Sequence, residues 1–233
     1  VSEEYLGNAI KGRREKFYIA TKSMSRDYES MKRDIEISLK NLQTDYIDLY
    51  QMHNVKPAEY DTLFGEDKAY RALLEAKEQG KIKHIGITSH GLETVEKAVE
   101  SDKFETIQFP YNIVENQADE VFKRAYEKGV GTIVMKPLAG GAIDDGTLAM
   151  KYLLSREYID VAIPGMDSPQ QVIENTDVLQ NYELTEEDNK KDSCRIIDVH
   201  RTGALNEVLF ADITTGKDAE TVYSVSSQNM LFD

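Results

Sequence analysis

One cysteine, Cys194, is all that this chain of 233 residues contains. That excludes a disulfide framework, an iron–sulfur cluster held by this chain alone and a cysteine-rich zinc site. It fits a reducing compartment, so a cytoplasmic location is expected. Positive charge is also scarce: 28 Lys and Arg against 42 Asp and Glu leave a net charge of −14. An acidic chain makes a poor nucleic-acid binder and a soluble protein. No apolar run approaches the ~20 residues that a membrane helix needs, and no signal-peptide pattern is visible, so no membrane partner is expected. No G-x-G-x-x-G follows an apolar run, which weakens an open dinucleotide-binding sheet. The length allows one large domain or two small ones, with a core large enough to need no covalent staples.

What the chain does have is alternation. Ser2–Lys11 reads as a helix, with Tyr5, Leu6, Ala9 and Ile10 on one face. Apolar strands are expected at Phe17–Thr21, Tyr46–Met52, Ile82–Thr88, Glu105–Phe109, Gly131–Met135 and Asp160–Ile163. Amphipathic helices are expected between and after them, at Arg26–Gln43, Asp67–Gln79, Leu92–Ser101, Ala118–Lys128, Asp145–Ser155 and from Ser168 to about Leu179. Gly80 and Gly129 close two of these helices as left-handed terminators. "SPQQ" at Ser168–Gln171 opens the last with Ser at the cap and Pro at the first helical position.

Strict strand–helix alternation implies parallel strands with helical crossovers. An open doubly wound sheet and a (β/α)8 TIM barrel both satisfy it. A complete barrel takes ~250 residues and eight units; six are legible here, so a barrel would be incomplete. Residues 1–181 read as one α/β domain. Residues 182–233 form an irregular C-terminal extension, with a capping Thr185 and a short hairpin around Thr215–Gly216–Lys217.

The strands end in polar groups. Lys22 ends the first and His53 the second. Ser89 and His90 end the third, Gln108 lies near the end of the fourth, followed by Tyr111 and Asn112, and Lys136 ends the fifth before "PLAGG". Gly165 and Asp167 follow the sixth. Taken singly, such residues are usually solvated strand ends, caps or turns. Taken as a set, they point to one shared pocket at the C-terminal ends of parallel strands.

The blocks "SEEYLGNAIKGRREKFYIATKS", "DYIDLYQMHN", "GKIKHIGITSHG", "IQFPYNIVEN", "GVGTIVMKPLAGG" and "AIPGMDSPQQVIEN" follow in order from Ser2 to Gln180. Together they resemble the aldo-keto reductases. That resemblance implies a (β/α)8 barrel that moves a hydride between NADP(H) and a small-molecule carbonyl without a metal, using a tyrosine acid helped by Lys, Asp and His. Lys22 then matches the family lysine, which lowers the tyrosine pKa, and His53 the histidine that hydrogen-bonds the carbonyl oxygen. Ser89, His90 and Gln108 match positions at the nicotinamide carboxamide, and Met135 the position against the ring face. Pro137 and Leu138 match the pyrophosphate loop. Gly165, Ser168, Gln171, Glu174 and Asn175 match the adenosine-phosphate segment.

Two departures carry consequences. Many NADP-preferring members have Lys and Arg where this chain has Gly165 and Gln171, so two cations are missing from the phosphate clamp. NAD is therefore expected as a cofactor beside NADP. The family Tyr and Asp align before Val1, so this chain reads as an N-terminally truncated member, a barrel with two open edges, unstable and nearly inactive by itself. The alternatives weighed against a reductase are a cofactor-binding regulatory module, an inactive pseudoenzyme and a lyase forming a Schiff base on Lys22 or Lys136. Neither the carbonyl substrate nor the oligomeric state is legible.

Overall fold

The computed structural model describes residues 2–186 and 188, and the backbone of residues 208–213 and 220–225. Helix α1 (Ser2–Ala9) is followed by six strand–helix units: β1 (Phe17–Ser23) with α2 (Tyr28–Leu42), β2 (Ile47–Met52) with α3 (Ala69–Glu78), β3 (Ile82–Thr88) with α4 (Leu92–Glu100), β4 (Thr106–Pro110) with α5 (Asp119–Lys128), β5 (Gly131–Met135) with α6 (Gly146–Leu154), and β6 (Val161–Ile163) with α7 (Pro169–Asp177). Adjacent strands from β1 to β6 pair in parallel in chain order. Each expected strand and helix is present, with no end moved by more than two residues.

One of those boundary shifts matters. The spacing predicts a helix from Arg26, but α2 starts at Tyr28, with Asp27 as its cap: the carboxylate accepts the Ser30 amide. Arg26 is therefore a loop residue. The connection between β2 and α3 is partly folded as a 3-10 turn, Pro57–Leu63, with Tyr60 and Leu63 buried. Tyr60, Phe64, Tyr70 and Phe104 pack edge-on around it.

Two further strands, β7 (Val208–Ile213) and β8 (Glu220–Val225), pair antiparallel; the turn expected at Thr215–Gly216–Lys217 lies outside the described residues. Strand β8 lies parallel beside β1, with Phe17 opposite Thr221. The open edge expected at β1 is thus paired, because β8 takes up the ladder groups that β1 offers on that side.

Strand parity sorts the side chains. Ile19, Thr21 and Ser23 face the helices. Thr21 donates to the buried Glu3 of α1, and Ser23 donates to Asp34 of α2. The opposite face of the sheet holds a separate apolar cluster, Ile133, Met135, Val161 and Ile163, with Leu49 packed against it. Gly86 of β3 also lies on that face, against side-chain atoms of Gln51, Leu49 and Thr106. The larger core lies between sheet and helices.

Helix α1 docks closely. Glu3 accepts Thr21 at 2.7 Å and the Asn41 amide at 3.1 Å. A Cβ on Gly7 would stand 2.6 Å from the Asn41 carbonyl oxygen and 2.8 Å from that of Leu42. Backbone atoms at the end of α2 cannot swing aside. Ala is better than Gly in a helix by ~1 kcal/mol, yet Gly7→Ala is expected to destabilise by about 1–3 kcal/mol, as overpacking does. Urea denaturation checks the sign.

Candidate active site

Parallel registration brings Lys22 and His53 to the same rim. Lys22 stands opposite Gln51, and Ser23 opposite Met52. The ladder continues one step further, with the His53 amide donating to the Ser23 carbonyl at 2.9 Å. Gln51 and His53 are two residues apart on one strand, so their side chains share the face that Lys22 occupies. Both Lys22 and His53 are half-buried.

The chain turns sharply after His53. Asn54 adopts φ 49°, the left-handed region. Its amide donates to the Thr88 hydroxyl at 2.8 Å, and the Val55 amide to the Thr88 carbonyl at 2.9 Å. These bonds pin the exit of β2 to the end of β3. Arg26 pins it from the other side, donating from Nη2 to the His53 carbonyl at 2.7 Å and from Nη1 to the Met24 carbonyl at 3.0 Å.

The imidazole is strongly perturbed. Burial comes first, then the charges of Lys22, Arg26 and His90, and together they lower the His53 pKa from 6.5 to about 4. Burial disfavours the imidazolium, and so does each neighbouring positive charge. At neutral pH His53 is therefore an uncharged hydrogen-bond donor beside cationic neighbours. His90, an exposed loop residue, joins the site through this proximity.

Gln108 and Met135 meet on the same face of neighbouring strands β4 and β5. Both are buried, and the Gln108 amide nitrogen lies 3.6 Å from the Met135 sulfur. A thioether is a weak acceptor, so the amide keeps most of its bonding capacity for a better partner. Ser89 is fully buried and more committed. Its hydroxyl donates to the Val55 carbonyl at 2.6 Å and accepts the Gly91 amide at 2.9 Å. One acceptor lone pair remains for a ligand N–H.

Lys136 bends the backbone after β5 with φ 56°, leading into Pro137 and Leu138. Asn112, fully buried, holds this bend. Its amide donates to the Lys136 carbonyl at 3.2 Å and to Glu115, while its oxygen accepts the Val114 and Glu115 amides. The Tyr111 side chain bonds away from the strand tips, to Asp119 of α5, at an oxygen that also accepts Tyr158.

At the start of α7 the Ser168 hydroxyl accepts the Gln171 amide, as expected of a cap. The Gln171 side chain folds back to accept the Asp167 amide at 2.8 Å. Glu174 accepts from Gln170 at 2.9 Å, Asn175 is half-buried, and Gly165 is exposed. Pro137 and Leu138 follow β5, and this segment follows β6, so all these residues leave the C-terminal ends of the strands. A surface hollow of about 610 Å³ lies at the other end of the strands, lined by Arg14, Leu39, Gln43 and Thr44 among others, and none of the tip residues lines it.

Sequence reasoning missed one residue of this rim. Arg26 was hidden inside an expected helix. Its signal was Asp27, a good cap that places the preceding residue outside. The bracing role of Asn112 has no sequence signal, because its partners come from two separate loops.

A sequence profile of the aldo/keto reductase family matches residues 1–147. Aldo-keto reductase YhdN of Bacillus subtilis is 30% identical over 183 residues, covering 72% of this chain and 53% of its own length. Methylglyoxal reductase DkgA of Escherichia coli is 32% identical over 102 residues, covering 42% of this chain and 36% of its own. The holo form of aldo-keto reductase AKR11C1 from Bacillus halodurans superposes with a TM-score of 0.71 at 26% identity, covering 85% of this chain and 79% of that one. The chain spans about half the length of YhdN. The six parallel strands with their crossover helices are thus part of a (β/α)8 barrel, and the chain belongs to the aldo/keto reductase family.

Proposed function

We propose that this chain forms the cofactor- and carbonyl-facing rim of an NAD(P)H-dependent reductase acting on a small aldehyde or ketone. One observation carries the reading. Lys22 and His53 sit at the ends of adjacent parallel strands, close enough for the ammonium to depress the imidazole. A charged lysine beside a neutral histidine suits the handling of an oxygen that gains negative charge.

The residues fit a dinucleotide. Gln108, with only a thioether beside its amide nitrogen, can hold a carboxamide, and Met135 offers an apolar surface to a ring. The N-terminus of α7, capped by Ser168, offers backbone N–H groups to a phosphate. When bound, the reduced nicotinamide supplies the hydride. His53 donates a hydrogen bond that orients the carbonyl and stabilises charge on its oxygen. Lys22 lowers the pKa of the family's tyrosine acid, which aligns before Val1, so that the phenol gives up its proton near neutral pH.

With Gly165 and Gln171 at the two clamp positions, no side-chain cation from either reaches a 2′-phosphate. Titrating the chain with NADPH and with NADH, followed by nicotinamide fluorescence, is expected to give dissociation constants within ~100-fold of each other, or ~2.7 kcal/mol. A larger preference for NADPH contradicts the clamp argument, and binding of neither contradicts the function itself.

The His53 reading carries a pH signature. In the unfolded chain its imidazole takes a proton below about 6.5; in the fold it does so only below about 4. Between these values the unfolded chain binds the extra proton. Its contribution to stability is full above pH 6.5 and falls away as pH drops toward 4. His53→Gln is expected to lose less stability than wild type between pH 7 and pH 4.5, as measured by urea midpoints. An equal loss in both contradicts it.

A further inference from the structure

We propose that Arg26 is a positioning residue for His53: one guanidinium clamps the strand ends that carry Lys22 and His53, and holds a permanent positive charge beside the imidazole. Its part in catalysis rests on the reading of His53 given above. The clamp itself does not.

The geometry is a three-way tie. Nη1 donates to the Met24 carbonyl at 3.0 Å, on the loop that leaves β1 two residues after Lys22. Nη2 donates to the His53 carbonyl at 2.7 Å, where β2 ends. The same Nη2 lies 3.4 Å from Glu59 on the 3-10 turn. The His53 peptide groups are therefore held on both sides by the β1 end, through its amide to Ser23 and through its carbonyl to Arg26. A second clamp acts on the same loop from below, where the Ser25 hydroxyl donates to Asp34 at 2.6 Å. A planar fork reaches two separate carbonyls from two nitrogens at fixed spacing, whereas the donors of an ammonium share one nitrogen.

The charge matters as much as the tie. His53 is faced by Lys22 from β1, His90 from the loop after β3, and Arg26 from the loop after β1. A guanidinium keeps its charge throughout the accessible pH range. Arg26 thus supplies the part of the field that survives in every state of the site. Glu59, behind it, opposes that field in part. Its second tie is to the Lys56 amide at 3.1 Å, which keeps the carboxylate turned toward its own turn.

The test needs no turnover. The chain has four histidines, so imidazole NMR titration of the whole chain resolves each, with His53→Gln supplying the assignment. Arg26→Gln is expected to raise the His53 midpoint by about half a pH unit or more. Arg26→Lys, which keeps the charge and loses the fork, is expected to hold the midpoint near wild type while the Asn54 amide exchanges faster. Glu59→Gln, a change at a half-buried carboxylate, is expected to lower the midpoint. His84, at the other end of β3, should move in none of them. An unchanged His53 midpoint in Arg26→Gln overturns the proposal, as does a parallel shift of His53 and His84. If Arg26→Gln fails to fold, an unmoved or raised midpoint in Glu59→Gln overturns it alone. Loss of cofactor binding with these titrations intact would count against the functional reading only.

Discussion

The hydrogen bond from the His53 amide to the Ser23 carbonyl sets the arrangement of the whole rim. It extends the β1–β2 ladder by one rung beyond β2. With that rung in place, the side chains of Lys22, Gln51 and His53 share one face. A slip of one residue would turn His53 toward α2 and α3 and leave Lys22 without an imidazole beside it. The register is protected on the other face, where Thr21 reaches Glu3 and Ser23 reaches Asp34. Polar pairs across the helical layer thus fix what happens on the opposite side of the sheet.

The rim is then built by bracing each strand exit with its neighbour. Thr88 receives the chain after His53, and the Ser89 hydroxyl holds the Val55 carbonyl. Asn112 holds the left-handed bend at Lys136. Buried hydroxyls and amides that are satisfied in this way become rigid, since an unmade bond there costs more than a made one contributes. The residues left with spare bonding capacity, Gln108 and the unpartnered amide of Gln51 among them, are the ones that a ligand can use. A barrel fold localises function to this end through such exits.

Much of the fold could be read from residues alone, because six apolar runs and their amphipathic partners repeat the same period. The strand-tip residues were legible for the same reason: a Lys or His where an apolar run stops is visible by position. The elements that escaped depend on contacts between distant segments. Arg26 acts on His53 across 27 positions, and the pairing of β8 with β1 joins opposite ends of the chain. No local pattern encodes either. Ser89 illustrates a different limit. Its position was readable, but the engagement of its hydroxyl with Val55 and Gly91 needed the loop conformations on both sides.

The account stands or falls on whether the strand tips form one cleft. Backbone amide NMR with NADP+ added to the whole chain measures this directly. Concerted shifts at His53, Ser89, Gln108, Met135, Lys136, Leu138, Gly165, Ser168 and Gln171 are expected, with Arg14, Asp48, His84 and Glu105 at the far end unmoved. Shifts centred on that far end, or scattered without a common affinity, would contradict it.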